Sequence, residues 1–283
     1  MRWKLTAGAI GVSEGYRMLM KRAVTAGLLL VFLIAVLWAN GRVPWFAIGG
    51  AVAIVLGLYE FYNMVCASGK GKPVIWLGII LALMFIFQPL TNWANDGGIL
   101  LTASVILPLL WVMLRKNREG ACSSWSFTLA GILYLGWIPS RYVALIQLPH
   151  GRDWVILALF STFACDTSAY FVGRAFGRHK MAPAISPAKT WEGAAGGLAG
   201  AVIVGLCVAR IFKLPIDTLQ TLLLTAAISI FAQTGDLVES LFKRNMGAKD
   251  SGTVLPGHGG VLDRIDGVVF AGLVVYYYVI WLA

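Results

Sequence analysis

Apolar runs close to the length of a bilayer span recur from one end of this 283-residue chain to the other. A helix needs about 20 predominantly apolar residues to cross the hydrocarbon core, and backbone polar groups in lipid must be satisfied within the structure itself. Candidate spans are Ala23–Trp38, Pro44–Met64, Pro73–Trp93, Gly97–Leu114, Ser126–Leu148, Trp154–Phe171, Gly193–Ile211, Thr218–Gln233 and Gly267–Ala283, about nine in all. Several contain Gly or Pro, which membrane helices tolerate. With 59% hydrophobic and only 13% charged residues, the chain is far from a soluble composition. A buried soluble core imitates one or two such runs, not nine. The expectation is an all-α, polytopic integral membrane protein.

The basic residues give an orientation. With nine spans and the N-terminus in the cytosol, the cytosolic segments hold five basic residues at the start (Arg2 to Arg22), Lys70 and Lys72, and Arg115, Lys116 and Arg118. They also hold Arg174, Arg178, Lys180 and Lys189, then Lys243, Arg244, Lys249 and Arg264. The opposite side keeps Arg42, Arg152, Arg210 and Lys213, and Arg141 lies within a span. Such asymmetry is the positive-inside pattern, and removing one span would spoil it. It turns the most charged later loops toward the cytosol, and the expected location is a bacterial inner membrane.

A net charge of +10 would point to nucleic acid in a soluble protein. Here it serves topology and attraction to anionic headgroups, so no nucleic-acid partner is expected. The basic, amphipathic first 22 residues suit the cytoplasmic interface, and no cleavable signal peptide is evident. Cys66, Cys122, Cys165 and Cys207 show neither disulfide nor zinc spacing. The three histidines are equally unsuited to a metal cluster. No linker or repeat divides the chain. Residues 1–283 read as one membrane domain, with 1–150 an N-terminal scaffold half and 151–283 the half that carries the chemistry.

The most telling segment is SLFKRNMGAKDSGTVLPGHGGVLDRID, Ser240 to Asp266. It mixes Lys243, Arg244, Lys249 and Arg264 with Asp250, Asp263 and Asp266 around a Pro-Gly-His-Gly-Gly turn. Charges at a membrane boundary are costly to keep without a use. Cations, carboxylates and exposed backbone N–H groups are together what a metal-bound phosphate requires. A solvated topology loop needs none of the acids.

A second charged block runs from Cys165 to Gly193. Asp166 lies inside a span, about 12 Å of helix from its cytosolic end. Such a carboxylate pairs with a cation, lines a polar cavity, or hydrogen-bonds locally to Thr167, Ser168 or a neighbouring helix. The cationic, hydroxyl-rich loop that follows, with Lys180, Ser186, Lys189 and Thr190, suits an oligophosphate. Glu192 opens the next span, where an acid also favours the helix dipole. Gly193, Gly197 and Gly196, Gly200 give overlapping GxxxG spacings, which serve either an internal seam or a homodimer contact.

Asp236 closes the eighth expected span, while Asp263 and Asp266 open the ninth on a shared helix face. All three fall at one membrane depth. Mg²⁺ typically takes one or two carboxylates plus substrate phosphates. Helix capping explains acids at an N-terminus, but not Asp236 at a C-terminus, where the dipole disfavours an anion.

The segment from Ser240 resembles the phosphatidate cytidylyltransferases (CDP-diacylglycerol synthases). Their motif positions are met by Ser240, Lys243, Arg244, Lys249, Asp250, Gly252, Pro256, His258, Gly259, Gly260, Asp263, Arg264 and Asp266. The upstream DTSAYFVGRAFGRHK…ISPAKTWEG is similar to the family's other motif. The resemblance covers roughly the C-terminal 120 residues and implies an integral-membrane enzyme that joins CTP to phosphatidate, with Mg²⁺ and room for a second cation. It implies metal-bound carboxylates at Asp236, Asp263 and Asp266. Lys243, Arg244, Lys249 and Arg264 would hold phosphates, with Gly259 and Gly260 allowing close backbone approach. Asp166, Lys180, Ser186, Lys189, Thr190, Glu192 and Asp250 would contact substrate. His258 serves either as an acid or base, or as part of the turn. A CTP-dependent lipid or polyprenol kinase and an anion transporter are the competing classes. Transport predicts inverted repeats with charges at midplane, and neither is present.

Overall fold

The protein is described by a computed structural model covering residues 27, 31, 33–39, 44–91, 97–116, 119–252 and 259–282. Eight helices follow one another: α1 Trp45–Ala67, α2 Ile75–Phe87, α3 Gly97–Met113, α4 Ala121–Ile146, α5 Gly151–Phe176, α6 Trp191–Ile211, α7 Thr218–Asn245 and α8 Leu262–Leu282. Six of the described helices are long and apolar enough to cross a membrane, and α2 and α3 are shorter apolar helices. The eight coincide with eight of the nine expected spans. The remaining candidate, Ala23–Trp38, falls largely outside the described residues, although Leu33 and Leu37 of its helical part pack against the core. Exposed Leu, Ile, Phe and Trp side chains on α3, α6 and α7 are what a lipid-facing surface requires.

Successive helices run in opposite directions, and hydrogen bonds show which loops share an end. Arg115 after α3 reaches the Lys72 carbonyl at 2.8 Å, and the Lys72 N–H donates to Ser124 Oγ at 2.9 Å. Ser68 Oγ, at the end of α1, meets Met246 Sδ at 3.3 Å beyond the end of α7. The described cationic loops before α2, before α4, before α6 and before α8 therefore gather at one end of the bundle. At the other end Arg152 lies over the Trp38 ring at 5.1 Å.

The loop between α5 and α6 is more ordered than its composition implies. It forms an antiparallel hairpin, β1 Lys180–Ala182 and β2 Ser186–Thr190, with Lys180 opposite Thr190 and Ala182 opposite Ser186. Thr190 then caps α6 by accepting the Gly193 N–H at 3.1 Å. The small residues of α6 face α5. A Cβ at Gly197 would stand 3.0 Å from the Cys165 carbonyl oxygen, and one at Gly196 would meet Val172 at 2.5 Å. The GxxxG spacing is thus used within the chain, as a close helix–helix seam.

Two boundaries differ from the hydropathy reading. α7 continues well past Gln233 to Asn245, and α8 begins at Leu262, before Gly267. Hydropathy ends where charges begin, but the helix does not. Lys243 and Arg244 sit in the last turn of α7, where cations favour the dipole, and Lys243 pairs with Glu239 one turn back. Asp236 accordingly lies inside α7 rather than at its C-terminus. Within α4, residues Ile132–Trp137 form a π-turn. Pro139 follows it, and its missing N–H and ring clash explain why the helix widens there.

Candidate active site

α7 and α8 cross closely because both are glycine at the contact. A Cβ on Gly235 would lie 2.5 Å from the Asp266 carbonyl oxygen, and one on Gly267 would lie 3.0 Å from Asp236 Oδ1. Removing those side chains brings the next residues of each helix, Asp236 and Asp266, into one neighbourhood. Asp266 is in electrostatic reach of Asp236, Glu239 and Asp166, and Asp166 of Asp236 and Lys189. Four carboxyl groups from α5, α7 and α8 therefore gather below the cationic end of the bundle. Like charges so placed in an apolar bundle repel, and a cation is the natural compensation.

Part of that compensation comes from the hairpin. Lys189, on β2, donates to Asp236 Oδ2 at 3.0 Å and to the Gln233 carbonyl at 3.5 Å. The upstream motif segment thus meets α7 at this pair, just ahead of the Ser240–Asp266 segment. The hairpin is fastened by Arg244 of α7, whose Nε donates to the Ile185 carbonyl at 3.2 Å while Nη1 donates to the Ala248 carbonyl at 3.3 Å. Glu192 is engaged by the loop that precedes the hairpin. It accepts from the Arg178 N–H at 3.1 Å and meets His179 Nδ1 at 2.6 Å, which ties the entrance of the hairpin to the start of α6.

Asp263 organises the other wall. Lys243 Nζ donates to its Oδ1 at 2.7 Å, and the Gly260 and Ser251 N–H groups donate to its Oδ2 at 2.9 and 3.2 Å. Lys243 also pairs with Glu239. Gly259 adopts φ +81°, a conformation that favours glycine, and thereby presents the Gly260 N–H to Asp263. Lys180, Lys249, Asp250 and Arg264 are exposed around this end, and Ser186 and Thr190 lie on the hairpin's inner strand. His258 and Pro256 lie outside the described residues.

Three residues that the sequence reading did not single out belong to this region. Glu239, 1% exposed, keeps an oxygen, Oε1, that no donor among the described residues reaches. Tyr134, on the π-turn of α4, packs between Phe242 and Phe270, each with its ring centre 6.0 Å away. Its buried hydroxyl has no hydrogen-bond partner among the described residues and lies in the field of Asp266, Glu239 and Asp236. Glu60, on α1, is buried beneath Ser251 and Val261. For Glu60 a signal existed: it is the lone charge in the Pro44–Met64 run, and intramembrane charges are functional by default. Glu239 is hidden in the charged tail of α7, and nothing in the sequence distinguishes Tyr134.

Among the described residues no three His, Cys, Asp or Glu side chains converge into a preformed metal cage. The donor set nevertheless fits a hard cation that brings its own phosphate ligands. Mg²⁺ prefers oxygen and needs only one or two protein carboxylates, and Glu239 Oε1 and the Tyr134 hydroxyl are buried polar atoms without a hydrogen-bond partner among the described residues.

A family model described as "Cytidylyltransferase family" matches residues 20–282. The chain is 33% identical over 263 residues to a Bacillus subtilis protein named phosphatidate cytidylyltransferase, covering 91% of this chain and 97% of that one. It is 36% identical over 251 residues to a protein of the same name from Staphylococcus saprophyticus, covering 88% and 94%. An Arabidopsis thaliana protein named phosphatidate cytidylyltransferase 5, chloroplastic, is 29% identical over 289 residues, covering 92% and 71%.

Proposed function

The chain belongs to the cytidylyltransferase family, and from that premise we propose that it transfers CMP from CTP to phosphatidate, giving CDP-diacylglycerol and pyrophosphate. The observation that carries this reading is the junction of the upstream motif segment with α7 at Lys189 and Asp236, just ahead of the Ser240–Asp266 segment and beside Asp166 and Asp266. It lies within the helices yet close to the cationic end, so a lipid phosphate can approach from the bilayer and a nucleotide from water. CTP is a cytosolic metabolite, which together with the basic loops supports a bacterial inner membrane and a site on its cytosolic side.

In the reaction a phosphate oxygen of phosphatidate forms a bond to the α-phosphorus of CTP. The bond from that phosphorus to the α–β bridging oxygen breaks, and its electron pair leaves with pyrophosphate. The nucleophile is already an anion, so no enzyme nucleophile and little proton removal are required. The protein's work is positioning and charge neutralisation. Lys189 and Lys243 are held at the site by Asp236 and by Glu239 with Asp263, ready to exchange a carboxylate for a phosphate. Lys180, Arg244, Lys249 and Arg264 surround the entrance and attract the nucleotide.

Asp236 and Asp266 would hold Mg²⁺, with Asp166 and Glu239 in its surroundings. When bound, the ion would neutralise phosphate charge and stabilise the leaving pyrophosphate. Asp263, expected with them as a ligand, has both oxygens engaged by Lys243 and backbone N–H groups. In this arrangement it organises the turn. The test is purified protein supplied with CTP and phosphatidate. CDP-diacylglycerol must form only when both are present, and a product that forms equally from a lipid alcohol would overturn the reading.

A further inference from the structure

Glu60 stands in the last third of the apolar helix α1 and is only 3% exposed. A carboxylate there is costly unless its oxygens are satisfied. Among the described residues they are satisfied from one place. Oε1 accepts the Val261 N–H at 3.1 Å, while Oε2 accepts the Leu262 N–H at 3.0 Å and the Ser251 hydroxyl at 3.3 Å. Val261 precedes and Leu262 begins α8, where backbone N–H groups have no partner within the helix. Glu60 supplies that partner from about 200 residues away in the chain. Its charge also suits the positive end of the α8 dipole.

The three donors lie on both sides of the His-Gly-Gly turn, with Ser251 before it and Val261 and Leu262 after it. Asp263 makes a parallel set of bonds, to the Ser251 and Gly260 N–H groups. The base of the turn is thus closed twice, by Asp263 from within α8 and by Glu60 from α1. Two motif glycines acquire a reason. A Cβ on Gly252 would stand 2.5 Å from Glu60 Oε1, and one on Gly260 would stand 2.6 Å from Oε2. At Gly252 the carboxylate occupies the space a side chain would need, and at Gly260 the carboxylate and the Ser251 hydroxyl bonded to it do so together.

We propose that Glu60 is a positioning residue for the nucleotidyl transfer: it clamps the two stems of the turn together and fixes the start of α8, and through α8 it sets the placement of Asp263 and Asp266. It touches neither substrate nor reacting atoms. The proposal rests on the cytidylyltransferase reading for its catalytic consequence, but its structural half is independent of that reading.

Glu60→Gln is the direct variant. Gln keeps the volume but loses the charge, and its amide nitrogen is a donor facing donors. Amide hydrogen exchange is measured on the full-length protein in detergent, together with turnover of CTP and phosphatidate. The expected result is faster exchange confined to peptides covering residues 251–262, with α5, α6 and α7 unchanged. The turnover number should fall on the order of 10- to 100-fold, as displacing a supporting contact does, with KM for CTP moving much less. Ser251→Ala removes one of the three donors and should give the same pattern with smaller amplitude. It carries the test if Glu60→Gln does not fold. Unchanged exchange at 251–262 in whichever variant folds overturns the clamp, and so does an increase spread evenly over all helices. If the wild-type protein makes no CDP-diacylglycerol, the exchange result still decides the clamp while the functional reading falls.

Discussion

Asp236 and Asp263 belong to one motif-bearing region but have different surroundings, and the difference predicts different behaviour on substitution. Asp236 is held by one lysine, which a phosphate can draw away, and it is in electrostatic reach of Asp266 and Asp166. Asp263 is enclosed by Lys243 and two backbone N–H groups. Asp236→Asn and Asp266→Asn should each lower turnover by about 100-fold or more, in line with the loss of one preorganised electrostatic group. Part of the loss should return at high Mg²⁺. Asp263→Asn should also be slow, but its Mg²⁺ dependence should match that of the wild type. Initial rates across an Mg²⁺ titration check this. Near-normal rates for Asp236→Asn and Asp266→Asn at limiting Mg²⁺ would remove both from metal binding, and a shifted Mg²⁺ midpoint in Asp263→Asn alone would give the role to that residue.

Among elements, α1, α4 and the hairpin do what their sequences announce least. α1 and α4 read as plain apolar spans, yet Glu60 and Tyr134 reach from them to the turn and the acid cluster. The hairpin reads as a cationic loop, yet its strand pairing sets Lys189 against Asp236. Hydropathy registers a helix's average and is blind to a single inward residue, and composition is blind to pairing between short segments. The charged loops, by contrast, were legible because charge in a membrane protein has few places to go. Their orientation is open to a direct check at the start of α4, where Cys122 is exposed. In a variant retaining only Cys122, an impermeant thiol reagent should label inverted vesicles and spare intact spheroplasts. Labelling of spheroplasts alone would place the cationic end, and the site with it, outside the cell.

For the whole molecule, the helical bundle followed from repeated apolar runs, and the placement of eight helices agrees with them. The ends of α7 and α8 did not, because both helices continue through charged residues that pair with each other, as Lys243 does with Glu239 and Asp263. The glycine spacing of α6 left two partners open, and its close approach to α5 puts it to use as an internal seam. In the proposed reading these features form a scaffold that would hold anionic groups of two substrates beside carboxylates, where a cation would join them. The central claim is that the bond broken in CTP lies between the α- and β-phosphates. The most direct measurement supplies the purified protein with phosphatidate and CTP labelled at either the α- or the γ-phosphate. The account predicts α-label in the lipid product and γ-label in pyrophosphate. Label from the γ-position in the lipid, with CDP released, would make the protein a kinase and contradict it, and a lipid fraction that takes up neither label would contradict group transfer altogether.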